Sequence, residues 1–299
     1  MVKVQRSNIA MSLTKPSGMR FWWITLCLCF ILPMSAHAQQ RPLLTEEVDI
    51  VRPGHVRLEA SFEFLQDQRF ALSGLRGDPT AIGVVGLTLG FAPNVEFEIQ
   101  GTVQNFLSIT HRDLSAIPLD LPHDNSTNDV GDVGLAAKFL LRRESQRMPA
   151  LGFRFGVGLP NSNQARGIGI NQTNFFSAIL MGKHLGRLNL FGNVGLGIFP
   201  APVEPFSQND MLLYGLAGIY QVNDWLNIVG EVSGRTNTRS DDPPLGTESL
   251  GQARLGIQLR AGGLQWDVAG IKGLTRFSPE SGVTFGLTYD FKAFRPVEK

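Results

Sequence analysis

Cysteine is almost missing from this chain. There are two, Cys27 and Cys29, and both fall in an apolar run near the start, so the rest of the protein has none. That excludes a disulfide-stapled secreted domain, a thiolate metal centre and a cysteine nucleophile. Acid is missing from the first 45 residues, where Lys3, Arg6, Lys15 and Arg20 precede the apolar stretch from Phe21 to Leu32. Ala36-His37-Ala38 follows. A basic start, a short apolar centre and an A-x-A site are the parts of an export signal. The apolar run is well short of the ~20 residues a spanning helix needs. Residues 1–38 are therefore expected to be a cleaved signal peptide and 39–299 the mature protein.

A basic excess is missing too. Removing the signal takes four of the 27 basic residues and none of the 26 acidic ones, leaving the mature chain at about −3. With no basic cluster there is no electrostatic footprint for nucleic acid. No segment has the 3.6-residue period of a long amphipathic helix.

What is present is alternation. In Val95-Glu96-Phe97-Glu98-Ile99-Gln100-Gly101-Thr102-Val103-Gln104 the odd positions are apolar or small and the even ones polar, which gives a strand with one oily and one wet face. The pattern recurs in 55–64, 80–91, 130–141, 150–159, 173–184, 188–199, 210–221, 225–234, 250–260, 264–273 and 282–291. Twelve segments of about this length suit strands that cross a bilayer at a tilt.

The links between them alternate in length as well. Short ones stand at Ala92-Pro93-Asn94, Leu185-Gly186-Arg187, Val222-Asn223-Asp224 and Ala261-Gly262-Gly263, with a longer one at 142–149. Between them fall 65–79, 106–129, 160–172, 200–209, 235–249 and 274–281. Short inner turns, long outer loops and an even strand count describe an all-β, transmembrane, antiparallel up-and-down β-barrel of a Gram-negative-type outer membrane. Outer-membrane lipids and the barrel assembly machinery are its expected partners. In the last segment Thr284, Gly286, Tyr289 and Phe291 resemble the C-terminal assembly signal of such barrels. Phe62, Phe64, Phe91, Tyr220, Trp225, Tyr289 and Phe291 stand towards strand ends, where aromatic girdles form. Phe97 and Val157 are expected to face lipid near the midplane.

The wet face carries the candidate functional residues. Alternation places Arg57, Glu59, Glu63, Glu96, Glu98, Gln100, Lys138, Arg154, Glu231, Arg254, Gln258 and Asp267 on the inner wall. Mixed charge has two readings: ion pairs that close a narrow lumen, or groups that line a water-filled or gated path. Gly134, Gly152, Gly156, Gly158, Gly195, Gly197, Gly218 and Gly286 are expected there too. Their small side chains favour a cavity over a packed plug.

Signs of catalysis are sparse. His111 and His123 share the longest outer loop with Ser108, Ser115 and Ser126, His55 and His184 fall at the inner end, and there is no G-x-S-x-G or H-x-x-x-H. Asp113, Asp120, Asp124 and Asp129 are scattered among prolines, unlike the tight alternating ligands of a calcium loop. No catalytic residue, metal or cofactor is expected.

Asp129-Val130-Gly131-Asp132-Val133-Gly134-Leu135-Ala136-Ala137-Lys138-Phe139, then Pro149-Ala150-Leu151-Gly152 and Gly158-Leu159-Pro160, resemble the outer-membrane transporters associated with the meta-cleavage pathway of phenol degradation. In that family a Gly-Asp turn opens a strand that ends in Lys and an aromatic residue, and the next strand ends in Leu-Pro. Gly131, Asp132, Lys138 and Pro160 carry the resemblance. It implies a channel for small organic solutes, aromatic or hydrophobic ones among them. The alternatives are a barrel with a structural or surface-contact role and, more distantly, an outer-membrane lipid hydrolase.

Overall fold

A computed structural model describes residues 41–204, 207–239 and 242–295. The expected signal peptide, with Cys27 and Cys29, lies outside the described residues. The strands are β1 (His55–Gln66), β2 (Gln68–Phe70), β3 (Leu75–Ala92), β4 (Val95–Arg112), β5 (Ser126–Asp129), β6 (Val133–Arg142), β7 (Ala150–Leu159), β8 (Asn174–Leu185), β9 (Leu188–Phe199), β10 (Asn209–Gln221), β11 (Leu226–Asn237), β12 (Leu250–Ala261), β13 (Leu264–Gly273) and β14 (Ser281–Lys292). A 3₁₀ turn occupies Gln164–Arg166.

Twelve of the strands close an antiparallel barrel, and β2 and β5 are short additions at the outer end. Closure is made by β1, which pairs with β3 on one side and with β14 on the other. That second pairing runs without a break from His55↔Lys292 to Gln66↔Ser281. In hydrocarbon an unpaired backbone edge costs several kcal/mol per group, so an open sheet is not an option there.

The side chains are sorted opposite to those of a soluble protein. In β4, Glu96 and Glu98 are 1% and 8% exposed while Phe97 between them is 42% exposed. The same holds around the circumference, with Phe62, Val85, Leu135, Phe155, Val194, Leu216, Leu255, Trp266 and Phe285 all facing out. A closed barrel clad in large apolar side chains has lipid as its solvent.

Inner turns are tight. Ala261-Gly262-Gly263-Leu264 joins β12 to β13 with φ of 63° and 78° at the two glycines. A Cβ would meet nothing within 4 Å at either position. Glycine is needed there for the left-handed backbone of a two-residue hairpin, not for space.

Two expected loops contain strand. Residues 65–79 hold the end of β1, β2 and the start of β3, and 106–129 hold the end of β4 and β5. Residues 75–92 and 95–112 form one long hairpin of 18-residue strands. At ~3.3 Å per residue each arm is about 60 Å long, more than a tilted crossing needs, so its outer part stands clear of the bilayer. Mixed composition and Pro79, paired with Leu107, hid this in the sequence.

Aromatic residues meet near the inner ends. The Phe91 and Phe97 rings pack edge to face at 5.7 Å, and Tyr289 stacks on Phe291 at 5.4 Å. Phe97 is the third residue of β4 and Val157 the eighth of the ten in β7. Phe97 therefore lies nearer the inner interface than the midplane, which corrects the expectation for it, while Val157 stands about as far from the inner end of its strand as Leu255 does in β12. The midplane positions are Leu255 in β12 and Leu216 in β10, 71% and 66% exposed. Leu255→Arg is expected to cost ~2–4 kcal/mol of stability and Phe97→Arg about 1 kcal/mol or less, read by denaturant titration of the barrel refolded in lipid vesicles. Equal costs would place the hydrocarbon band elsewhere.

Candidate functional site

The site is the lumen, and its main occupant is the protein's own N-terminal segment. Residues 41–52, which precede β1, run through the barrel. Two apolar anchors seat them. Leu43 packs with Phe191, Ala217, Ile219 and Val229, and Val48 packs with Ala150 and Leu180, flanked by Leu140 and Ala178. All these wall residues occupy inward positions of their strands, where a purely water-filled channel would have no use for them.

The backbone of the segment is satisfied by wall side chains, as any buried backbone must be. Glu231 accepts hydrogen bonds from Leu44 N at 2.9 Å, from Thr45 N at 2.8 Å and from Thr45 Oγ1 at 2.7 Å. Arg254, directly opposite Glu231 across the β11–β12 ladder, donates to Pro42 O at 2.9 Å and reaches Glu63 at 2.9 Å. Asn193 accepts from Glu46 N at 2.6 Å and donates to Glu46 O at 2.7 Å. It copies the pairing a neighbouring strand would supply. Gln258 and Gln265 both donate to Arg41 O. Arg41 in turn reaches Ser61 at 2.7 Å and Glu59 at 3.8 Å.

A second cluster lies on the facing wall. Lys138 Nζ is 2.6 Å from Glu96, 3.7 Å from Glu46 and 3.0 Å from Glu47 O. Arg154 is 2.6 Å from Glu98, 3.2 Å from Glu46, and its guanidinium lies 5.0 Å over the Phe176 ring. Glu96 also accepts from Val51 N. Charges taken out of water are tolerable only when paired, and here Glu46 of the segment adds a countercharge to both wall cations, Lys138 and Arg154, while Glu98 Oε1 keeps no hydrogen-bond partner among the described residues.

Lumen glycines make room for the segment. A Cβ at Gly152 or Gly182 would press on Val48, one at Gly215 would strike Thr45 at 2.6 Å, and one at Gly90 would strike the carbonyls of Val51 and Arg52. The expectation that small residues favour an open cavity over a plug is thus corrected. Gly218 is corrected as well: it lies beside Leu190 on the outward face.

The remaining expected residues fall as follows. Arg57 Nη2 is 3.6 Å from Asp290, which His55 also meets at 2.9 Å. Asp267 is buried beside Gly286, and neither carboxylate oxygen has a hydrogen-bond partner among the described residues. Gly131 packs on Thr102, where a Cβ would clash at 2.6 Å. Asp132 caps the next loop by accepting from Asn161 N at 3.0 Å and Ser162 N at 2.8 Å, and Pro160 is exposed just beyond β7. Thr284 is buried on the inward face of β14, while Tyr289 is exposed on the outward one. Among the described residues no histidine is hydrogen-bonded to a serine or threonine hydroxyl. The loop aspartates do not gather into a metal-ligand cluster; Asp129, for one, accepts from Asn163 N at 2.6 Å. At the inner rim Glu144 is held down to about 2 by hydrogen bonds from Lys183 and His184.

Space remains on the outer side of the segment. A cavity of about 520 Å³ is lined by Arg41, Leu44, Glu63, Asp132, Phe176 and Arg254 among others. An apolar groove of about 610 Å³ on the lipid-facing wall is bordered by Leu58, Val85, Leu87, Ile99, Leu287 and Tyr289. The two share Gln100, Gly101 and Val133. There the β4–β6 ladder stops at Gln100↔Gly134, and pairing of β4 resumes with β5 only at Asn105↔Asp129. Across this interruption the strands keep the hydrogen bond from Gly131 N to Thr102 O at 2.9 Å.

Comparison of the coordinates with solved structures gives 16% identity and a TM-score of 0.59 to an outer-membrane channel from Pseudomonas putida F1, over 82% of this chain and 98% of that one. The fold is that of an outer-membrane barrel. The translocator domain of the autotransporter NalP from Neisseria meningitidis follows at 14% identity and a TM-score of 0.49, over 79% and 88% of the two chains. No protein-family model matches the sequence, and no curated protein matches it.

The sequence reading missed the segment itself. A signal was there: Pro42-Leu43-Leu44-Thr45-Glu46-Glu47-Val48 carries apolar residues outside any strand, while Leu140, Leu180, Phe191, Ile219 and Val229 break the polar pattern on wet faces. Residues 39–299 contain no cysteine, so Leu44→Cys in a chain that begins at Gln39 gives a single label site within the lumen. In that background Glu231→Ala is expected to raise the labelling rate by a membrane-impermeant thiol reagent at least ~10-fold and to cost about 3 kcal/mol, because it strands three donors and removes one of the two carboxylates beside Arg254. Unchanged labelling would mean that Glu231 does not hold the segment.

Proposed function

We propose that the protein is a gated channel that carries small organic solutes across the outer membrane, held closed in this structure by residues 41–52. The observation that carries the reading is how those residues are held. The contacts are mostly hydrogen bonds and ion pairs that water can replace, with Leu43, Val48 and Val51 as the buried apolar residues. A permanent core would be built from more apolar area.

The solute class follows from the surfaces on offer. The cavity above the segment is of the size that takes a small organic molecule, and the apolar groove beside it bears on solutes that partition into lipid. The segment from Asp129 to Pro160 bears on the same reading, as it resembles transporters associated with phenol degradation. The fold shared with an outer-membrane channel is consistent with it. Outer-membrane lipids and the assembly machinery are the partners this reading needs. It assigns the barrel no catalysis.

One observation favours a second reading, a structural barrel whose lumen stays shut. Glu96, Glu231, Lys138 and Arg254 are buried as deeply as core residues. Conductance decides between them. In planar bilayers the mature protein is expected to show rare, small openings, and a variant lacking residues 39–52 frequent and larger ones that small aromatic solutes block. A correctly folded variant that never conducts would favour the structural reading.

A further inference from the structure

On its way out of the lumen towards β1 the N-terminal segment brings Glu47 and Asp49 to His184, near the end of β8. One carboxylate oxygen from each acid and one ring nitrogen of His184 all lie within 4.8 Å of one another. Small rotations would set all three on a single ion. Glu47 is 5% exposed. Its carboxylate accepts one hydrogen bond, from Asn189, and no other reaches it among the described residues. Asp49 and His184 reach solvent at the edge of the cluster, and the buried Glu47 carboxylate is repelled by that of Asp49 unless a cation stands between them. The nearest amine, on Lys138, is engaged by Glu96 and by the carbonyl of Glu47 rather than by its carboxylate.

His184 is prepared for the same task. Its Nδ1 lies 2.7 Å from Glu144 Oε2, and Glu144 is itself fixed by Lys183 at 2.8 Å. A carboxylate on one ring nitrogen sets the tautomer and leaves the other nitrogen to a metal. One imidazole and two carboxylates suit a divalent transition metal of the zinc type, with water completing the coordination.

We propose that Glu47, Asp49 and His184, with Glu144 as the positioning residue, bind one zinc-type divalent ion that staples the N-terminal segment to the barrel wall. Two ligands come from the segment and one from β8, so the ion bridges the moving part and the fixed one. The effect on gating rests on residues 41–52 being the closing element; the binding itself does not.

The test titrates the untagged mature barrel in detergent with Zn²⁺ alone, by calorimetry. One ion per chain is expected, with affinity at least ~10-fold weaker in His184→Ala and in Asp49→Asn, and about 10- to 100-fold weaker in Glu144→Gln. His55, His111 and His123 remain in every variant, so zinc held elsewhere appears equally in all of them. Identical isotherms for the parent and His184→Ala overturn the site. In bilayers Zn²⁺ is expected to lengthen the closed periods of the parent and not of His184→Ala. Binding that depends on His184, in a barrel that never conducts with or without residues 39–52, upholds the metal site while the channel reading fails.

Discussion

The seam between β1 and β14 is the constraint on which everything else depends. In lipid every backbone donor and acceptor must find a partner within the protein. The unbroken pairing from His55↔Lys292 to Gln66↔Ser281 removes the edges that a twelve-stranded sheet would otherwise expose. Closure puts one face of each strand in hydrocarbon and the other in an enclosed space. The charged residues have nowhere else to go, and so the lumen inherits Glu96, Glu98, Lys138, Arg154, Glu231 and Arg254.

An enclosed ring of charge is itself a problem, and the N-terminal segment is the answer to it. Glu231 and Arg254 face each other across one ladder, and Glu96 and Lys138 across another. The neighbours therefore neutralise one another in charge but keep unused hydrogen-bonding capacity. A stretch of extended backbone supplies what is left: Leu44 and Thr45 give donors to Glu231, Pro42 gives an acceptor to Arg254, and Glu46 gives a countercharge to Arg154. Segment and wall satisfy each other, which is why neither resembles a hydrophobic core.

Alternation and loop length made the barrel legible from sequence, because both are dictated by the bilayer. A one-residue slip in β4 would turn Glu96 and Glu98 into lipid, so the pattern had to be strict there. The inner wall was legible for the same reason. What could not be read was its occupant. Residues 41–52 have neither period, and their polar partners are scattered over β1, β4, β6, β7, β9, β11, β12 and β13, up to 224 positions away for the Arg41–Gln265 contact. Local patterning carries no trace of such distant pairing. Gly218 failed for a smaller reason: glycine has no side chain to report its face, and alternation in β10 is set by Met211, Ala217 and Ile219 inside against Leu216 and Tyr220 outside.

The same residues explain why the lumen can be full without being sealed for good. An apolar core resists water because exposing it is costly; a polar interface loses much less, since water replaces each hydrogen bond it breaks. Residues 41–52 are tethered at one end by β1, where Gly54 N donates to Gly90 O and His55 N to Arg52 O. Withdrawing them would expose Leu43, Val48 and Val51 together with the small apolar seats around Phe191 and Leu180, and would leave Glu231, Arg154 and Lys138 facing water. The wall left behind would be mixed, with the charges of Glu231, Arg154 and Lys138 beside the apolar seats of Leu43 and Val48. That equivalence, charge against backbone when closed and charge against water when open, would let one set of charged residues serve both states of the proposed gate.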